Sequence, residues 1–224
     1  MGNLNKIKKI ATESFSNGLR LHKDSITLFK QNSIPSSYML SILAQEEIGK
    51  SYLMSEIIFQ DTDNTGLVDN EYTKLITKCM TSHQVKQGWF SRQADDFFKY
   101  SGKKYPKIIK EISSGKLEEN KQNSIYVGVT KSKNKIDLAN GKVIIPEKRI
   151  KINQAEFQIT RVNDFIIEFI EGVRRGILCV DVDGVDGLLT INLAKELETI
   201  WSNKSKSTIS KLKKYRKFEI DDDC

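Results

Sequence analysis

A chain of 224 residues with 36 Lys and Arg against 29 Asp and Glu carries a formal charge of 36 − 29 = +7, and its length suits one ordinary core without forcing a second. Its three cysteines, Cys79, Cys179 and Cys224, are odd in number and widely spaced; this argues against a disulfide framework or a cysteine zinc site and fits a reducing cytoplasm. The start MGNLNKIKKIATESF lacks a secretory apolar run, and no stretch approaches the roughly twenty apolar residues of a membrane span, so a cytoplasmic chain with no membrane contact is expected.

In chain order, Ile7, Ile10, Ala11, Phe15, Leu19, Ile26 and Phe29 recur at helical spacing and predict a first long helix over 4–31. The turn SIPSS ends it, with Ser33 placed to cap a second helix that has Pro35 in its first turn and runs on to about Phe59. A third periodic segment spans about 69–100. The Lys-rich stretch 101–123, with Gly102, Pro106 and Gly115, reads as a connector holding at most a short helix near 108–112. SIYVGVT (124–130) and KVIIPEKRIKI (142–152) are β-branched, and the polar loop between them contains Asn140-Gly141, which predicts a hairpin with Pro146 at a strand edge or end.

Asn153 and Glu156 have capping-box spacing and open a fourth helix to about Leu178. The following CVDVDGVDG misses the calcium-loop register, since Val185 stands where an oxygen ligand is needed, and it reads as a turn. A last helix covers about 188–204. The organisation is thus one mainly α domain over 1–204, a helical bundle with a β-hairpin insertion at about 124–152, and a tail over 205–224 that is basic with an acidic end. No metal and no cofactor is expected, because no His/Cys/Asp set has ligand spacing.

Polar groups interrupt the core stripes. With Met39 at zero on a helical wheel, Leu43, Leu53, Met54 and Ile57 fall within about 60° of it. Glu46 at about −20° and Lys50 at about +20° sit in the middle of that face, with Glu47 at its border at about +80°. On the third segment, with Tyr72 at zero, Ile76, Cys79, Phe90 and Phe97 define the stripe, and His83 at about +20° and Lys86 at about −40° share it. Burying such groups unpaired costs several kcal/mol each. Two readings remain: a satisfied structural network, or a concave site in which carboxylate, ammonium and imidazole move a proton and stabilise an anion, as phosphodiester transfer requires. His83 is the general acid/base candidate of the second reading, while His22 packs or faces solvent. The basic balance favours an acidic partner, RNA or DNA, unless it is simply a solvated face.

The run SYMLSILAQEEIGKSYLM contains an EExGK element (Glu46, Glu47, Gly49, Lys50), and TSHQVK an SHxxK element (Ser82, His83, Lys86). In this order and spacing they resemble the AbiV family of phage abortive-infection proteins within the HEPN superfamily, over roughly residues 6–178. The resemblance implies a HEPN-like helical bundle, usually a homodimer, that halts phage propagation by blocking translation or cleaving RNA, with a phage protein as trigger. The alternative is a non-enzymatic protein that binds RNA, the translation machinery or a phage protein. Many relatives are metal-independent ribonucleases with Arg five to seven residues ahead of the catalytic His. Here no Arg has that spacing before His83; Lys78 does, but lies about 140° away around the helix. The residues that would carry chemistry are therefore Glu46, Glu47, Lys50, His83 and Lys86, with Lys86 and Arg92 as phosphate contacts.

Overall fold

The computed structural model describes residues 2–61, 70–101, 106–132, 135–136, 138–174 and 190–202. Helix α1 (Gly2–Lys30) and helix α2 (Ile34–Asp61) form an antiparallel pair. Their turn closes α1 with Asn32 at φ 62°, and the bonds Ser33 N–H to Leu28 O and Asn32 N–H to Phe29 O take up two otherwise orphaned carbonyls. Asn is one of the few side chains that adopt this left-handed conformation at low cost. Gly18 allows α1 and α2 to approach closely, since a Cβ there would lie 2.8 Å from Ile48.

The third periodic segment is two helices. α3 (Asn70–Thr81) and α4 (His83–Ser101) break at Ser82, whose hydroxyl accepts from Val85 N–H. The stretch read as a connector is also helical, with α5 (Pro106–Ser113) and α6 (Lys116–Asn123) separated by Gly115 at φ 71°. The insertion is shorter in strand than expected. Strands β1 (Gly128–Val129) and β4 (Val143–Ile144) pair antiparallel with Gly128 opposite Ile144, and β2 (Lys131–Ser132) pairs with β3 (Lys135–Ile136). Pro146 opens the helical turn α7 (Pro146–Arg149), where its fixed φ and missing N–H cost nothing.

Helix α8 (Ile152–Arg174) begins a little earlier than the capping-box reading: Gln154 Oε1 accepts from Lys151 N–H, so Gln154 performs the role assigned to Glu156. α9 (Ile191–Ile200) is capped by Thr190, which accepts from Leu193 N–H. The Asp-rich segment 179–187 and the tail from 205 lie outside the described residues.

The core forms around α2, which packs against α1, α4 and α8. Ile42, Ala44, Ile48, Leu53, Met54, Ile57 and Ile58 are buried on several sides of it, so this helix is enclosed rather than amphipathic. Phe90 of α4 meets Phe165 of α8 with ring centroids 4.4 Å apart. Among the described residues no helix is long and apolar enough to cross a membrane.

Candidate functional site

Glu46 projects from the enclosed face of α2 and is only 2% exposed. Three donors converge on its carboxylate: His83 Nδ1 at 2.6 Å on Oε2, Gln87 Nε2 at 2.7 Å and Lys121 Nζ at 2.9 Å on Oε1. Because the carboxylate already accepts from an ammonium and an amide, it is the acceptor toward His83 as well, and Nδ1 carries the proton. The imidazole side chain is 49% exposed. With Nδ1 tied inward, its Nε2 edge faces out, the tautomer and orientation in which an imidazole accepts a proton.

Lys121 is as buried as Glu46 and bridges it to Glu118, 2.7 Å from the second carboxylate. Gln87 also reaches Glu118, at 3.4 Å. Partial burial pushes the Glu118 carboxyl up, but the bonds from Lys121 and Gln122 and the charges of Lys121 and His83 outweigh it and hold the group below its ordinary range. Glu46, His83 and Glu118 each place a ligand atom within 4.8 Å of the others, a spacing a metal ion accepts. The Lys121 ammonium, bonded to both carboxylates, already supplies the positive charge at that point.

Glu47 and Lys50 form a second, adjacent pair. Lys50 Nζ lies 2.8 Å from both Glu47 oxygens, and Asn17 of α1 donates to Glu47 at 3.2 Å. The Cys79 thiol is buried near this pair and is pushed up to about 11 by desolvation, with Lys86 and Lys50 acting against the rise. The residues singled out from sequence thus divide in two: Glu46 with His83, and Glu47 with Lys50, with Lys86 acting on Cys79 beside the second pair. Arg92 is not brought to either. It follows His83 by nine positions on α4, about 180° around the helix, and its guanidinium rests over Trp89 at 4.9 Å.

The break at Ser82 explains His83. As the first residue of α4 it stands at the helix start and rises half out of the surface, while Gln87, one turn on, points inward at 1% exposure. Gly49 sets how closely α4 approaches: a Cβ there would lie 2.2 Å from the Lys86 carbonyl oxygen and 2.9 Å from Phe90 N. The glycine of the EExGK element is therefore the contact that brings the SHxxK element to the acidic residues.

The helical wheels of α2 and the third periodic segment do not single out Gln87, Glu118 or Lys121. Lys121 had a readable signal, because on a wheel it falls about 40° from Leu117, with Ser124 about 20° to the other side; both neighbours are buried. A lysine in that stripe marks an inward charge.

The family model for the AbiV HEPN domain matches residues 6–167, which include both motifs and every group around Glu46. This chain belongs to the AbiV family of HEPN proteins. Membership points to an abortive-infection role of the HEPN type. No curated protein and no solved structure matches the chain. In AbiV terms, the helical bundle supplies one face on which a buried acid orients a half-exposed imidazole.

Proposed function

We propose that this AbiV protein acts in phage defence by cleaving RNA at the His83 face, halting the gene expression on which phage propagation depends. The observation that carries the reading is the 2.6 Å bond from His83 Nδ1 to the buried Glu46 carboxylate, beneath an imidazole that is half exposed. Such a carboxylate fixes the tautomer and stabilises the imidazolium as a proton is taken up. His83 is the general acid/base and Glu46 its positioning partner. Lys86, one turn along α4 on the same side, is the cation for a developing phosphate charge. Lys50 is held by Glu47, and the two shape the floor beside Cys79. The reading requires no metal, and the positive charge of the chain favours an RNA strand. A homodimer, in which a second copy faces the same surface, would turn this open face into a cleft.

His83→Ala tests it. Plaque protection and RNA cleavage should both be lost, while the melting temperature stays near that of the parent, because half of the imidazole is already in water. Protection and RNA degradation at the parent rate would end the catalytic reading. The alternative, a non-enzymatic partner of RNA, the translation machinery or a phage protein, draws on the complete satisfaction of Glu46 by three donors. It expects Glu46→Gln to unfold the chain and His83→Ala to leave protection intact.

A further inference from the structure

Where residues of α2, α5, α6 and α8 meet lies a cavity of about 280 Å³ lined by Tyr38, Glu111, Asn120, Asn153, Gln154, Phe157, Gln158 and Arg161. Its lining is unlike that of an anion site or an apolar pocket. The two charged groups cancel, with Arg161 Nη1 3.7 Å from Glu111, and a carboxylate in the wall repels phosphate. Four of the remaining six residues are amides and one is a phenol. The sixth, Phe157, is 48% exposed, with the Arg161 guanidinium over its ring at 5.6 Å.

The back wall is held in place. Gln45 Oε1 accepts from Gln158 Nε2 at 2.9 Å and from Arg161 Nη2 at 3.1 Å, and Arg161 also donates to Gln158. All three residues are buried, so the Gln158 and Arg161 part of the wall is fixed before any ligand arrives. The volume stands just below the usual range of small-molecule sites, about 300–1,000 Å³, which suits a single flat ring system rather than a larger ligand.

We infer that this cavity receives one unstacked nucleobase, stacked on Phe157 and read along its edge by the amides of Asn120, Asn153 and Gln154. Net neutrality, a half-exposed aromatic and paired donor and acceptor groups are the chemistry by which single-stranded bases are recognised. Position supports the assignment: Asn120 of the cavity wall precedes Lys121 on α6, and Gln45 behind that wall precedes Glu46 on α2, so the cavity and the Glu46 centre draw on adjacent residues of the same two helices. That the base belongs to an RNA strand rests on the RNA-cleaving reading above.

The experiment titrates the full-length chain, uniformly labelled with nitrogen-15, with adenosine, guanosine, cytidine and uridine, and follows the side-chain amide signals. Parallel titrations use fluorescent single-stranded hexamers of A, C and U. One nucleoside should shift the Asn120, Asn153 and Gln154 amides saturably, and Phe157→Ala should weaken it about tenfold or more. Phe157 and Asn153 are exposed, so Phe157→Ala and Asn153→Ala should fold normally. No response to any nucleoside, or equal affinity in Phe157→Ala, overturns the base pocket even if hexamers bind elsewhere. A nucleoside that binds through Phe157 while no hexamer binds sustains the pocket and overturns the RNA reading instead.

Discussion

Replacing Lys121 with Met tests how the acidic centre is held. The ammonium is 2% exposed and lies 2.9 Å from Glu46 and 2.7 Å from Glu118; Met fills similar volume without charge. Glu46 keeps the His83 and Gln87 donors but loses the ammonium bonded to it. Removing one member of a buried pair costs about 3–5 kcal/mol. Glu118 is 24% exposed and can recover water, which places the expected loss at the lower end, about 3 kcal/mol. For a chain of this size that lowers Tm by about 6–12 °C, readable by circular dichroism and by a lower urea midpoint at unchanged slope. Adding Glu46→Leu to Lys121→Met should recover part of the loss, since no uncompensated charge is then left in the interior. A single variant that melts within about 2 °C of the parent would refute the reasoning, because it would mean that Lys121 is solvated and the carboxylates do not depend on it.

Gly49→Ala places a methyl group 2.2 Å from the Lys86 carbonyl; backbone cannot yield as a side chain does, so a loss of at least about 3 kcal/mol is expected, measured by urea unfolding, and an unchanged midpoint would show that α4 does not sit so close. Burial holds His22 down to about 4 from its ordinary 6.5, against a bond to Asn163 that favours the charged form. The unfolded state therefore takes up the proton first as pH falls, so this contribution is complete above pH 6.5 and decreases by about 3 kcal/mol toward pH 4; His22→Gln should flatten that part of the stability profile, and an unaltered profile would count against it. Cys79, buried with its thiol pushed up to about 11, should resist iodoacetamide in the native chain and react after denaturation, as mass mapping of that residue would show; rapid native labelling would contradict the burial.

The long helices and the inward Glu46 were legible because apolar periodicity over 20 or more residues dominates local exceptions. The wheel also placed Glu47 at the border of the α2 face, where its side chain is 17% exposed. The break at Ser82 was not legible in the same way. The apolar period runs from Cys79 to Phe90 almost in phase, and a serine that caps one helix while ending another leaves that period nearly intact. The consequence is local: the wheel gives Lys86 the inward direction that in the structure belongs to Gln87. Lys121 was hidden for a compositional reason, since a lysine among lysines reads as a solvated connector unless its position relative to Leu117 is checked. Gly49 was recognised as part of a motif, but its close approach to the Lys86 carbonyl depends on where another helix crosses, which sequence spacing alone does not contain.

The ammonium that balances Glu46 arrives 75 positions later in the chain. A nascent polypeptide that has emerged only through α4 holds the acid, the amide and the imidazole but not their counter-charge. Order of synthesis thus makes α6 the last component of the centre, and a product truncated ahead of it would lack the ammonium to which Glu46 is bonded. The centre is thereby complete only once the bundle has been built as far as α6.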